Sequence, residues 1–569
     1  MQGGCEYWMP FGHKENSMTG LGDQERGQFH ELLNKAMSGQ LNRRQVMTPA
    51  AALGLSAASV FTLGAAAASG TTHLVARQDS SATPVAGGTL RVGLQGDPAE
   101  LDPHTTSLTA SIHVTEHIYE GLVREKPDLT IEPWLAAEMP EISADGTTYT
   151  FKLRDGVMWH PPVSRALVAS DVKYSLERIV DPTVASSNSS ILASMASVEA
   201  PDDATVVITL KSADASFLAA LTTRNIAVVP KEFVDQQGGT LNLAACGTGP
   251  FTFVEYIPNT RLSVARNSDY WDGDKPYLDG IEFTPISDDT QRTNAITTDT
   301  VDFVEYAPLQ DIDRLMGESG LTIAGDINTN IRFIGINLRR KPFDDVRVRQ
   351  AIALALNRDE ILEPATYGHG TATEVIFPEG NWAHVQTTPT AQNVDQAKSL
   401  LAEAGFPDGL KLEILSWSAY SFLSQPSYVV QSQLEAVGIT SDVVLEENAT
   451  YIDRYTKTFD YDITVTGTSG FVDPNDVYGP NFLSTSDGNT SGYVSPAADD
   501  LIKQGIAATD QAARAEIYTQ LQQLLLQDLP WINLFIANQY EAMNQSVKGY
   551  THFPTGSLTS LRETFISPS

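Results

Sequence analysis

Two histidines, His113 and His117, stand four positions apart in the chain. On a helix this spacing places both imidazoles on one face, where they could chelate a transition metal. The pair lacks cysteine or acidic partners at the spacing that a complete ligand set needs, so we predict a polar helix face and neither a metal site nor a cofactor. His104 and His160 stand alone in the sequence and are predicted to be surface or capping residues.

Other residues that could carry chemistry also lack the partners that catalysis requires. The turn Gly247-Thr248-Gly249-Pro250 has neither the third glycine of a dinucleotide loop nor the Gly-Lys-Ser/Thr of a P-loop. Cys246 is accompanied by no histidine motif of a thiol enzyme and is predicted to be a core residue. With no Gly-x-Ser-x-Gly, His-Glu-x-x-His or Cys-x-x-Cys pattern in the sequence, we predict no catalytic residues and a protein that is not an enzyme.

Aromatic residues offer a candidate contact surface for a ligand. Trp417 and Tyr420 follow a predicted strand from Leu410 to Leu415. Their rings could stack on a sugar or an aromatic ligand, or could pack within the protein, and the sequence leaves both readings open.

The composition limits the class of protein. With 569 residues the chain is too long for one hydrophobic core, which predicts two to four domains. The hydrophobic fraction of 42% and charged fraction of 19% are those of an ordinary globular protein. A formal net charge of −33 argues against a nucleic-acid partner, because phosphate binding needs clustered Lys and Arg.

The N-terminal region carries an export pattern. Arg43-Arg44 precedes an Ala-rich apolar run from Pro49 to Ala68, which is typical of a Tat signal cleaved near Ala68. The alternative is a membrane anchor, because about twenty apolar residues can span a bilayer, although the abundance of Ala, Ser and Gly favours cleavage. We expect residues 1–70 to be a Tat-like export signal with a long N-terminal region and residues 71–87 to be a linker.

The remaining chain alternates predicted strands and helices. Thr89 to Leu94 and Thr148 to Arg154 have the period-two pattern of strands. Ser170 could cap a helix that begins at Asp171, and Asp344 or Asp345 could cap a helix with its apolar stripe at Val348, Ile352, Ala355 and Leu356. The strand–helix alternation of the second half predicts an α/β fold with largely parallel pairing.

Several motifs occur together in one order between about Gly88 and Tyr550. They are Leu101-Asp102-Pro103, the segment from Ala169 to Arg178, the Gly247 to Phe251 turn, Arg266 to Trp271, Pro342 to Ala351, and Leu400 to Gly409. In this order the set resembles the family-5 extracytoplasmic solute-binding proteins, the receptors of ABC importers.

The resemblance implies an α/β, two-lobed periplasmic-binding-protein-like (type II) fold with an additional inserted domain. The first lobe would comprise residues 88–127, 247–330 and the returning 535–569, the inserted domain 128–246, and the second lobe 331–534. Ligand would lie in the cleft between the lobes, and hinge closure would present the loaded receptor to a membrane permease.

The resemblance also implies candidate ligand-binding residues. These are Ser107, Thr109 and Ser111 of the first lobe, Tyr306, Phe333 and Gly335 near the hinge, and Thr468, Gly470 and Phe471 of a second-lobe loop, to which we add Trp417. Peptide-binding relatives have an acidic residue three positions before the Asp/Glu-Pro pair, where it receives the peptide amine. Here that position is Gly470, ahead of Asp473-Pro474, and position 467, often Trp in relatives, is also Gly. We expect Asp473 to be a turn residue and this loop to leave room for a larger or less charged ligand.

These observations predict a monomeric, extracytoplasmic substrate-binding protein that captures a peptide or peptide-like solute and delivers it to the permease subunits of an ABC importer. One alternative is the same role for an oligosaccharide or another non-peptide solute. A receptor that signals to a membrane sensor and a Tat-exported enzyme are the others.

Overall fold

A computed structural model describes residues 83–468 and 472–568, all within one compact unit, so the predicted export signal and most of the linker lie outside the described residues. The strands are β1 (Thr89–Leu94), β2 (Val123–Glu125), β3 (Ile131–Pro133), β4 (Glu141–Ile142), β5 (Thr148–Lys152), β6 (Met195–Asp202), β7 (Thr205–Leu210), β8 (Phe251–Ile257), β9 (Arg261–Arg266), β10 (Gly280–Pro285), β11 (Phe303–Val304), β12 (Leu321–Ile336), β13 (Gly370–Ala372), β14 (Leu410–Trp417), β15 (Ile439–Glu446), β16 (Ile463–Thr468), β17 (Trp531–Asn544), β18 (Val547–Lys548) and β19 (Phe565–Ile566).

The α-helices are mostly short and lie between these strands. They are α1 (Thr109–Thr115), α2 (Ala169–Val180), α3 (Phe217–Ala220), α4 (Lys231–Gln236), α5 (Asp289–Thr297), α6 (Ile312–Met316), α7 (Val346–Ala355), α8 (Arg358–Thr366), α9 (Val394–Glu403), α10 (Ser421–Ala436), α11 (Asn448–Ile452), α12 (Asn475–Phe482), α13 (Pro496–Ala507) and α14 (Gln511–Asp528). Among the described residues, none of the helices combines the length and the apolar character needed to cross a membrane.

An eleven-stranded sheet organises the described chain, in the order β15-β14-β16-β12-β17-β11-β1-β10-β9-β8 with β13 on β17. In what we call the first sheet half (β1 and β8 to β11), β1 pairs parallel with β10 and β11. In the second sheet half (β14 to β16), β14 pairs parallel with β15 and β16, as predicted, whereas β16 joins β12 antiparallel. The long strands β12 and β17 pair antiparallel and connect the two halves.

Each sheet half packs against its own apolar core. In the second core the predicted stripe of Val348, Ile352, Ala355 and Leu356 is fully buried against β12 and β14. Asp345 rather than Asp344 caps α7, because its carboxylate accepts a hydrogen bond of 2.9 Å from the Arg347 backbone N–H. Amphipathic spacing therefore predicted this helix and the face that it buries.

A separate antiparallel sheet, β4-β5-β7-β6, lies between β3 and β8 in the chain and carries α2 on an apolar core of its own. The helix begins at Ala169, so the predicted Ser170 cap is wrong. Instead the Asp171 carboxylate accepts a hydrogen bond of 3.1 Å from the Val168 backbone N–H, which satisfies one of the free donors at the helix start.

A buried ion pair joins α2 to the core of the first sheet half. The Arg178 guanidinium donates to both carboxylate oxygens of Asp102, at 3.0 and 2.5 Å, and the two side chains are 4% and 0% exposed. Burial raises the pKa of Asp102, but the hydrogen bonds and charge of Arg178 outweigh it and hold this pKa below its usual value. The pair links two motifs that lie far apart in the sequence.

His104 and His160 are both buried, so their predicted surface or capping role is wrong. Nδ1 of His104 accepts from Arg178 at 2.8 Å, which leaves Nε2–H to donate to the Ala227 carbonyl at 2.8 Å. His160 receives the Gly247 N–H on Nδ1 at 3.3 Å and donates through Nε2 to the Gly249 carbonyl at 2.9 Å. Burial lowers the pKa of each imidazole to about 4, so both act as neutral connectors between segments.

We expect Asp102→Ala to destabilise the protein by about 3–5 kcal/mol, because it leaves the Arg178 guanidinium buried without its counterion. The matched control is Asp442→Ala, which breaks an exposed ion pair with Lys411 and should change the stability little, because solvent screens exposed charges. Urea unfolding of the two variants beside the parent measures both values. Equal losses of stability in the two variants would show that the buried ion pair of Asp102 contributes no more than an exposed one.

Candidate ligand-binding cavity

A cavity of about 310 Å³ lies where β12 and β17 pass between the two sheet halves. Its walls come from both sides. Tyr306 to Gln310 follow β11 of the first half, while Thr366, Ser421 and Phe422 belong to helices beside the second half and Tyr367 directly follows α8. The crossing strands contribute Asn328, Asn330 and Arg332 from β12, and Phe535 and Ala537 to Tyr540 from β17. This volume is at the lower end of the range for small-molecule sites.

Arg332 is the charged group of β12 that reaches this cavity. It is half-buried, and its guanidinium carbon lies 4.9 Å from the centroid of the Phe422 ring. Its one hydrogen bond within residues 83–468 and 472–568 is a marginal contact of 3.5 Å with the carbonyl of Ile331, and no carboxylate pairs with it there. Burial lowers the pKa of Arg332 to about 10, with the phenol of Tyr306 opposing the shift, so the guanidinium stays charged at neutral pH.

Gly467 lies opposite Arg332 in the β12–β16 pairing. A Cβ at this position would lie 2.6 Å from Nη1 of Arg332 and 2.8 Å from the carbonyl oxygen of Ile331. The missing side chain at 467 therefore makes room for the arginine. The expectation that this position leaves room for a larger ligand is corrected, because Arg332 occupies the space.

Tyr306 supports the cavity wall from the first sheet half. Its φ of +44° is in the left-handed region, which non-glycine residues adopt infrequently. Its ring stacks on His113, with centroids 5.8 Å apart and an angle of 18° between the planes. His113 in turn bonds through Nδ1 to the carboxylate of Glu305, and this side-chain carboxylate also accepts the Gln95 backbone N–H at 2.7 Å.

The histidine pair, predicted to form a polar helix face, is buried. His113 pairs with Glu305, while His117 stacks on Phe283 with centroids 5.8 Å apart. In the described part of the chain no group of three or more His, Cys, Asp or Glu side chains is placed to hold a metal ion.

The ten candidate ligand-binding residues fall in different environments. Thr109 and Tyr306 line the cavity, whereas Ser107 is exposed and Ser111 is buried. Phe333 is buried and stacks on Trp531 at 3.7 Å, Gly335 faces Thr464 within the sheet, and Trp417 stacks on Tyr451 at 3.9 Å. Thr468 pairs with Ile331, and Gly470 and Phe471 lie outside the described residues.

Two further expectations concern Asp473 and Cys246. Asp473 is more than a turn residue, because its buried carboxylate receives two hydrogen bonds of 2.7 Å from the Arg514 guanidinium. Cys246 is a buried free thiol, as predicted for a core residue.

Sequence reasoning missed Arg332 and Phe422, which meet in the cavity. A signal for the first was present, since Arg332 interrupts the apolar run from Ile331 to Ile336. A charged residue within a strand that is otherwise buried marks a position that faces a polar cavity or a partner.

A cavity between two sheet halves that are joined by crossing strands is the arrangement of a two-lobed solute receptor, in which hinge motion can bring the halves together around a ligand. Residues 130–490 match the profile of the bacterial extracellular solute-binding proteins, family 5 (middle). The chain is 30% identical over 483 residues to heme-binding protein A of Haemophilus influenzae, covering 79% of this chain and 87% of that protein. The chain belongs to family 5 of the bacterial extracellular solute-binding proteins.

Solved structures agree with this assignment. The periplasmic binding protein AgaA from A. tumefaciens R10, in complex with agropinic acid, has a TM-score of 0.73 at 29% identity and covers 85% of this chain and 99% of its own. DppA from Helicobacter pylori, in complex with the peptide STSA, has a TM-score of 0.74 at 26% identity with coverages of 85% and 99%. The predicted two-lobed, type II periplasmic-binding-protein fold is confirmed. The protein is a substrate-binding receptor of an ABC importer, from a family of extracytoplasmic binding proteins and not enzymes.

The ion pair between His113 and Glu305 should make the stability of the protein depend on pH. Burial lowers the pKa of His113, but the charge and hydrogen bond of Glu305, with a smaller contribution from Glu116, outweigh it and raise this pKa overall, while Arg224 opposes them. A histidine with a raised folded pKa stabilises the protein fully below its unfolded pKa of about 6.5, and this stabilisation is lost as the pH rises through the folded value.

We therefore expect His113→Gln to be clearly less stable than the parent at about pH 6 and to approach the parent as the pH rises. Urea midpoints measured at intervals between about pH 6 and pH 9 test this. Part of the pH dependence should persist in the variant. Burial lowers the pKa of His552, but the charge and hydrogen bond of Glu541 outweigh it and raise this pKa as well. A constant stability difference across the range would show that His113 does not change protonation.

Proposed function

We propose that this receptor captures a peptide or peptide-like solute in the cavity and delivers it to the permease subunits of its ABC importer. The observation that carries the proposal is the set of six amide side chains in the lining: Gln95, Gln310, Asn328, Asn330, Asn538 and Gln539. Each amide offers both a donor and an acceptor, which matches the alternating N–H and C=O groups of a peptide. The relative DppA, whose structure contains the peptide STSA, supports the same assignment.

Contacts to both sheet halves would couple binding to closure. A ligand that touches Tyr306 on one side and Phe422 on the other favours the conformation in which both contacts form at once. The crossing strands β12 and β17 are the elements that must bend, because they are shared by both halves. The closed form would then be the species that the permease recognises.

A second candidate is the same role for an oligosaccharide or another non-peptide solute. Gly470 favours it, because glycine offers no carboxylate to a peptide's α-amino group at the position where peptide-binding relatives have one. The relatives also differ in ligand, since one is named as a heme-binding protein and another was solved with agropinic acid.

We also propose how the chain is exported and how it is divided into domains. Residues 1–70 would direct Tat-type export, and residues 71–87 would form the linker. The mature receptor would act as a monomer, with the first lobe, inserted domain and second lobe bounded as the sequence predicts.

Native mass spectrometry of the gently purified mature protein, from about residue 70 onward, is the direct test. We expect an added mass relative to the denatured protein, resolved into a ladder of peptides. A hexose-spaced series would move the assignment to sugar. A protein that shows no adduct and takes up nothing from offered peptide or sugar mixtures would overturn both the peptide and the oligosaccharide assignment.

Gly470→Asp tests the peptide-amine mode separately. If the loop has the family geometry, the new carboxylate should strengthen the binding of free-amine peptides by about tenfold or more, because a buried ammonium needs a counterion. The same peptide with its amino group acetylated is the control and should gain nothing. Isothermal titration calorimetry measures both, and an unchanged affinity for the free-amine peptide would contradict the geometry taken from the family.

A further inference from the structure

Arg332 differs from Arg292, the other arginine of the cavity lining, in having no anionic partner among residues 83–468 and 472–568. Arg292 pairs with Asp289 at 2.6 Å. Arg332 has only its marginal contact with the Ile331 carbonyl within the described part of the chain. The three residues at 469–471 are Ser, Gly and Phe, so none of them carries a carboxylate either.

The lack of an anionic partner within the described chain leaves the charge of the half-buried Arg332 uncompensated. Removing a guanidinium from water without a counterion destabilises the protein unless another group compensates. The chain does not lack acids, since it has 70 Asp and Glu against 37 Lys and Arg. A half-buried arginine without a carboxylate partner can therefore form its ion pair with a bound anion.

The residues around Arg332 position its guanidinium to contact a bound anion. The Phe422 ring, 4.9 Å away, provides an aromatic face on which the planar guanidinium rests, and Gly467 leaves the space through which the side chain passes. The remaining charges of the described lining, Asp289 and Arg292, pair with each other. Apart from that pair, Arg332 is the single charged side chain in this lining.

We propose that the ligand of this receptor carries a carboxylate that binds the Arg332 guanidinium. The proposal rests on the proposed receptor function and narrows its ligand class. A planar carboxylate matches the guanidinium fork and can accept two parallel hydrogen bonds, an interaction that phenols, amides and sugar hydroxyls cannot reproduce. The neutral amides along β12 and β17 then contact the uncharged remainder of the ligand.

The carboxylate could belong to a peptide or to a small organic acid, and the experiment separates these sources. The mature protein is offered a casein hydrolysate, the same hydrolysate with its carboxyl groups converted to primary amides, and a mixture of non-peptide carboxylic acids. Native mass spectrometry reads the uptake from each mixture, and calorimetry then measures the affinity for the best compound and its amide. The variants are Arg332→Gln and Arg332→Lys, with Arg261→Gln as a control that removes one arginine from a half-exposed ion pair with Glu255 on β8.

We expect the parent and Arg261→Gln to take up acids in strong preference to their amides. Arg332→Gln should lose about thirtyfold or more of the affinity for the acid and should no longer distinguish it from the amide. Arg332→Lys should keep part of the preference, because it retains the charge without the planar fork. Thermal unfolding confirms that each variant is folded, and Arg332→Gln should unfold no earlier than the parent because it removes an uncompensated cation.

Uptake from the peptide mixture would identify a peptide carboxylate, and uptake from the acid mixture alone would identify a non-peptide acid. Equal binding of acids and amides by the parent, or a preference that survives in Arg332→Gln, would overturn the role of Arg332 and leave the receptor function intact. Failure of the parent to take up anything from the three mixtures would overturn the carboxylate ligand together with the peptide assignment.

Discussion

The antiparallel pairing of β12 with β17 is the constraint on which the rest of the structure depends. It runs from Leu321 opposite Asn544 in the first sheet half to Gly335 opposite Trp531 in the second. The register shifts between Ile327 and Ile331, so the backbone from Asn328 to Asn330 is released from β17. This interruption lies at the cavity and supplies two of its amide side chains. One irregularity in the pairing therefore both separates the sheet halves and forms the wall between them.

The same pairing explains why two apolar cores can form on one continuous sheet. Leu90, Val92 and Leu94 pack in the first core, and Ile334 and Ile336 pack in the second. At Gly325 a Cβ would lie 2.1 Å from the Gln539 carbonyl oxygen, and φ is +133°, so the close approach of the strands requires glycine. Two cores joined by a narrow pair of strands can move as separate bodies with little repacking, which a closing receptor requires.

The sequence predicted elements from local periodicity and failed where partners lie far apart in the chain. The stripe from Val348 to Leu356 was correct because helical spacing alone identifies the buried face. His104 was misassigned because its partner Arg178 is 74 residues away, and His113 because Glu305 is 192 residues away. No local pattern reports such contacts. Position 467 was misjudged for the same reason, since its space is taken by an arginine of another strand.

Three residues determine which end group of the ligand we expect the cavity to bind. Arg332 and Gly467 face each other across β12 and β16, and Gly470 is nearby in sequence. The family resemblance implies an acid at the position of Gly470 in relatives that bind peptides through their amine, and often Trp at the position of Gly467. This chain has glycine at both, and the space at Gly467 admits the Arg332 side chain. A cavity with an uncompensated cation attracts an anion and repels an ammonium, because electrostatic interactions strengthen as water is excluded. Recognition in this receptor is therefore weighted toward the acidic end of its ligand.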